Sequence, residues 1–115
     1  MIYSVFTDRL GNNLFQFAAA LSIDDNVTIC VPDKDEFLET IKYKDIFFKD
    51  FSVINHIPNN IDIHIESSFK YSKIPYTNNS DLILKGYFQS YKYIDREKIL
   101  KHFRRNTPII TKINK

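Results

Sequence analysis

Two short segments carry residue types that could do chemistry. The first is Asp8-Arg9-Leu10-Gly11-Asn12-Asn13. A guanidinium such as Arg9 pairs with a diphosphate and can offset charge that develops on a leaving group. The amides of Asn12 and Asn13 can exchange hydrogen bonds with sugar hydroxyls. Gly11 lets a backbone come close to a ligand. The same residues also suit an ordinary strand-to-helix turn, with glycine for geometry and asparagine as a cap. The loop fits neither the dinucleotide pattern G-x-G-x-x-G nor the P-loop. The second segment is Leu84-Lys85-Gly86-Tyr87-Phe88-Gln89-Ser90-Tyr91-Lys92-Tyr93. Aromatic faces such as Tyr87 stack on sugar C–H surfaces, and Gln89 and Ser90 can read hydroxyls. A packed aromatic loop is the alternative.

Other candidates are weaker. His64 and Glu66 share one face of a strand and could hold a metal, but no third ligand accompanies them, so no metal site is expected. His56 has no evident partner. Cys30 is the single cysteine, which excludes an internal disulfide and a cysteine zinc site; it reads as a small buried hydrophobe. Lys98, Lys101, Arg104, Arg105, Lys112 and Lys115 make a basic C-terminal stretch that reads as a solvated helix face.

The elements that must position the two segments follow from periodicity. Met1 to Phe6 reads as a buried strand. Asn13 to Ser22 reads as a helix, with Leu14, Phe17, Ala18 and Leu21 on one face and Asn12 or Asn13 as its cap; Asn13 with Gln16 resembles a capping box. The run Ala18-Ala19-Ala20 suits a helix lying close on a sheet. Asn26 to Val31 is a second strand, stopped by Pro32. Strand, helix, strand is a βαβ unit, so parallel strands and a Rossmann-like α/β fold are expected. Asp35 to Tyr43 is a short helix, with Phe37, Leu38 and Ile41 on one face. Ser52 to Ile57 is a short strand. Ile61, Ile63 and Ile65 alternate with Asp62, His64 and Glu66, the pattern of a half-buried strand. Residues 67–80 are irregular, and Leu82 to Leu84 form a buried strand. Asp95 caps a helix to Phe103 that turns Ile99, Leu100 and Phe103 inward.

Composition bounds the rest. The chain has 115 residues, 43% of them hydrophobic, 26% of them charged, and a net charge of +2. That is one globular domain with no charge excess to imply nucleic-acid binding. No apolar run reaches the roughly 18 residues of a membrane span, and no signal peptide is read. Two glycines occur, Gly11 and Gly86. Both sit in the two chemistry-bearing segments.

Those segments also carry a family resemblance. Asp8-Arg9-Leu10-Gly11-Asn12-Asn13-Leu14-Phe15-Gln16-Phe17-Ala18 resembles the N-terminal motif of glycosyltransferase family 11, the α-1,2-fucosyltransferases: Gly-Arg/Gly-Leu-Gly-Asn-Gln-Leu/Met-Phe-Gln-Tyr-Ala. Asp8 stands where the family has glycine, Asn13 where it has glutamine and Phe17 where it has tyrosine. The second segment resembles the family's Gly-Tyr-Phe/Trp-Gln-Ser-Glu-Lys-Tyr-Phe, with Tyr91 in place of glutamate and Ile94 in place of the last aromatic. The likeness spans Met1 to about Phe103.

The resemblance implies a Rossmann-like domain over 1–105, the N-terminal half of a GT-B-type glycosyltransferase, with 106–115 as a tail or linker. It implies an inverting, metal-independent transfer of fucose from GDP-fucose to a galactoside hydroxyl. Arg9 would be catalytic; Gly11, Asn12, Asn13, Tyr87, Gln89 and Ser90 would bind substrate or line the cleft. GDP-fucose would be a donor substrate, with no cofactor. The partners implied are a glycan acceptor with terminal galactose and a second polypeptide carrying the donor-binding half, in the cytoplasm or at a membrane surface; nucleic acid is not among them. The family's donor-site signature, His-x-Arg-Arg-Gly-Asp-Tyr, is imitated in part by His102-Phe103-Arg104-Arg105-Asn106-Thr107, which lacks Gly-Asp and reads as a helix end. The alternative is a non-catalytic remnant or a sugar-binding module that lacks the donor half.

Overall fold

In a computed structural model the described residues are 1–68, 70–77 and 79–106, the last two by backbone alone. Five strands form one parallel sheet: β1 (Ile2–Val5), β2 (Val27–Cys30), β3 (Ser52–Ile54), β4 (Asp62–Ile65) and β5 (Leu82–Lys85). Their order is β3-β2-β1-β5-β4. The helices are α1 (Leu10–Ile23), α2 (Lys34–Phe47) and α3 (Arg96–Asn106), and a single 3-10 turn spans Tyr91–Tyr93. The expected α/β architecture with a parallel sheet is present, and it is compatible with a Rossmann-like fold. The order differs from the usual 3-2-1-4-5 by exchange of the last two strands.

The crossovers β1-α1-β2 and β2-α2-β3 step in the same direction along the sheet. A constant hand of crossover then puts their helices on the same face. The large core cluster follows from this: Ile2, Phe6, Ile29, Val31, Leu82 and Leu84 point to that face and meet Phe17 and Ala20 of α1, Phe37 and Phe47 of α2, and Ile99 and Phe103 of α3. Phe6, Phe17 and Phe48 pack edge to face, with ring centroids 5.3 and 4.9 Å apart along the chain of contacts. Ala19 and Ala20 are fully buried, so the alanine run does bring α1 close to the sheet.

The second face carries Val5, Cys30 and Ile83. It is covered in part by Ile57 and Ile61, both in the segment that carries the chain from β3 at one edge to β4 at the other. Burial raises the Cys30 thiol to about 12, so it stays protonated and apolar in behaviour.

Four local expectations are corrected. Asn12 and Asn13 do not cap α1: the helix starts at Leu10, Arg9 is its N-cap, and no side chain caps it. Both asparagines are inside the first turn because their amides have partners elsewhere. Helix α2 continues to Phe47, and of its expected apolar face Phe37 packs inward while Leu38 and Ile41 are exposed. In α3, Ile99 and Phe103 face the core and Leu100 faces outward. Strand β4 is not buried through its isoleucines: Ile63 and Ile65 are 51% and 61% exposed, because β4 is the edge strand and nothing among the described residues covers that end of the second face. Asp95 does act as the expected cap, its Oδ1 accepting from the Lys98 N–H at 3.3 Å. His102 to Asn106 lie within α3, as a helix end, and 107–115 are outside the described residues.

Candidate functional site

In open parallel sheets, ligands bind at the carboxyl ends of strands where chain direction along the sheet reverses. Here β1 leads to β2 on one side, and β5 lies on its other side. The loops after β1 and β5 therefore border one crevice. They are the two chemistry-bearing segments.

A buried amide joins them. Gln16, 2% exposed, donates from Nε2 to the Gly86 carbonyl at 3.0 Å and to Thr7 Oγ1 at 3.0 Å. Its Oε1 accepts from the Thr7 N–H at 3.2 Å and from Asn13 Nδ2 at 3.1 Å. Asn13 also donates to the Thr7 carbonyl at 2.9 Å. Helix α1 thus holds the β1 loop and the β5 loop through one satisfied network, which fixes geometry more firmly than separate bonds would. Asn13 is buried and committed to this network, so it positions the loop rather than meeting a ligand. In the sequence Gln16 reads as a capping partner and as part of the resemblance motif; nothing local to it shows the partners it finds here.

Nearer solvent, two further bonds cross the crevice. Gln89 Nε2 donates to Asn12 Oδ1 at 2.9 Å, and the Tyr87 hydroxyl donates to Asp8 Oδ2 at 2.5 Å. The Asp8 bond and charge raise the Tyr87 phenol above its ordinary value, so it stays a donor. Asp8 has φ +66, a left-handed conformation that aspartate tolerates better than most residues. Its N–H donates to Glu36 Oε1 of α2 at 2.9 Å.

Glu66, just after β4, braces the β5 loop from below. Its Oε1 accepts from the Tyr87 and Phe88 N–H groups, both at 3.1 Å. Gly86 has φ +154, and a Cβ there would lie 2.5 Å from Glu66 Cβ. Glycine is required at 86 both by conformation and by space. At Gly11 a Cβ would meet nothing within 4 Å. Its place in the first turn of α1 leaves an open, approachable surface instead of a required backbone shape.

The exposed Arg9 side chain has no hydrogen-bond or ion-pair partner among the described residues. It stands at the N-cap of α1, whose first turn holds no acidic residue. Free N–H groups, the positive end of the helix dipole and an unpaired guanidinium therefore coincide, a combination suited to an anion. Ser90 is placed differently: its hydroxyl accepts from the Lys92 N–H at 3.4 Å and caps the 3-10 turn, so it supports the loop. Beside these groups a cleft of about 560 Å³ is lined by Thr7, Asp8, Ile65, Glu66, Lys85 and Tyr87. Among the described residues no group of three or more His, Cys, Asp or Glu is arranged to hold a metal. No described helix is long and apolar enough to cross a membrane.

Comparison of the chain with protein-family models, with characterised proteins and with solved structures gives no match.

Proposed function

We propose that this chain is the N-terminal, acceptor-side half of an α-1,2-fucosyltransferase-like enzyme of GT-B type. The observation that carries the proposal is convergence. Two segments some seventy residues apart in sequence, each resembling a landmark of that family, meet across the β1/β5 crevice through Gln16–Gly86, Asn12–Gln89 and Asp8–Tyr87 contacts. The positive φ at Asp8 adds support, because the family motif has glycine at that position.

In the proposed reaction the acceptor hydroxyl oxygen bonds to the anomeric carbon of fucose. The bond from that carbon to the diphosphate breaks, and GDP leaves with the electron pair. Arg9 and the α1 N-terminus offset the charge on the departing diphosphate. Asn12 and Gln89 orient the galactoside, with the Tyr87 ring against its C–H face. Asp8, a carboxylate that this chain has where the family motif has glycine, takes the hydroxyl proton in this reading. The remaining donor contacts come from a second polypeptide or domain.

The test is reconstitution. The purified chain, mixed with a separately expressed donor-binding half of an α-1,2-fucosyltransferase, is expected to transfer fucose from GDP-fucose to a β-galactoside. Arg9→Ala is expected to lower turnover by at least about a hundredfold while leaving the circular dichroism spectrum unchanged. Near-full activity of Arg9→Ala would remove the assigned role. Galactoside binding with no transfer would favour the sugar-binding module.

A further inference from the structure

β4 is an edge strand with an unusual outer side. Ile61, Ile63 and Ile65 lie on the second face of the sheet, and Ile63 and Ile65 are among the most exposed apolar residues of the described chain. Natural edge strands are kept short or are blunted by charge, lysine above all, by proline, by a bulge or by a cover. β4 is short and carries Asp62, but within Asp62–Ile65 there is no lysine, proline or bulge, and no described strand pairs with its outer edge.

The backbone direction is fixed by one hydrogen bond. The Glu66 N–H donates to the Lys85 carbonyl at 2.9 Å, toward β5. Backbone groups alternate along a strand, so those of His64 and Asp62 also point to β5. Those of Ile61, Ile63 and Ile65 point outward. Three consecutive outward-facing residues are all isoleucine.

We infer that β4 pairs antiparallel with β4 of a second copy of this chain, about a two-fold axis at Ile63, to give a continuous ten-stranded sheet. In this register the outward backbone groups meet as Ile63 with Ile63, and Ile61 with Ile65 in both directions. These are the hydrogen-bonded pairs. Asp62 then stands opposite the partner's His64 in both non-hydrogen-bonded pairs, where side chains approach most closely. Six isoleucines line one face, and two acid–imidazole pairs lie on the other. A register centred on His64 sets His64 against His64 and Asp62 against Glu66, so charge selects the Ile63 register. A parallel partner lacks the two-fold pairing of carboxylate with imidazole. The inference uses the outer edge of β4 and does not depend on the fucosyltransferase proposal.

The test is sedimentation velocity on the full chain across about a hundredfold range of concentration, since a two-strand contact of this size is weak. The expected result is a monomer–dimer equilibrium. Ile63→Lys, at a position already exposed, abolishes the dimer. Asp62→Lys raises the dissociation constant by about tenfold or more, and the exchanged double variant D62H/H64D restores it. Ile63→Cys gives a disulfide-linked dimer on mild oxidation, as the two-fold requires. A wild-type chain that stays monomeric throughout would overturn the inference, as would a dimer that Ile63→Lys and Asp62→Lys both leave intact.

Discussion

Gly86 and Gly11 separate two uses of glycine at the residue scale. At Gly86 the backbone sits where L residues rarely go, and Glu66 fills the space a side chain needs. Gly86→Ala is therefore expected to cost at least about 2 kcal/mol in chemical denaturation. Gly11→Ala, in an open first helical turn, is expected to be neutral or to stabilise by up to about 1 kcal/mol. Equal effects would show that the β5 loop is not braced as described. The two glycines were visible in sequence as the chain's pair, but not their different reasons, since that depends on Glu66, twenty residues away from Gly86. The same holds for Gln16. Its partners Thr7 and Gly86 lie in the loops that follow two different strands, and no local pattern brings them together.

At the scale of elements, helix α1 carries most of the legible information. Its apolar period and alanine run predicted a helix pressed on the sheet, and Ala19 and Ala20 are fully buried there. Ala19→Leu has no room and is expected to destabilise by about 1–3 kcal/mol by overpacking; a neutral result would mean α1 stands off the sheet. The far end of α1 is tied to the irregular segment after β4 by a bond from the Tyr76 hydroxyl to Asp24. That bond, with the Asn26 N–H, lowers the Asp24 pKa, while burial and Asp24 raise Tyr76 to about 12. The signs differ. The depressed Asp24 contributes stability above its unfolded pKa, lost as pH falls through the lower folded value. The raised Tyr76 contributes stability below its unfolded pKa, lost as pH rises through about 12. Asp24→Asn should flatten the acid limb of a stability–pH curve measured by urea denaturation; an unchanged acid limb would show that the bond contributes nothing. Helix starts and edge burial were the least legible features. Asn12 and Asn13 look like caps because their type favours caps, but tertiary hydrogen bonds claim both side chains. The alternation of 61–66 marks a two-faced strand without saying which face the fold covers.

At the scale of the whole molecule, the described residues form a layered arrangement: three helices on one face of a parallel sheet, and a crossing segment on the other. The βαβ start was readable from the first 31 residues. The placement of β5 between β1 and β4 was not, because it is set by a chain crossing from one edge of the sheet to the other. Yet that placement is what brings the segment after β5 beside the loop after β1. The most direct test of the shared site is an amide-resolved NMR titration of the wild-type chain with a β-galactoside, repeated with GDP-fucose. Shift changes gathered on 9–12 and 86–90, and lost in Gln89→Ala, are the predicted result. No change with either ligand, or changes gathered away from 9–12 and 86–90, would contradict a sugar site at the β1/β5 crevice.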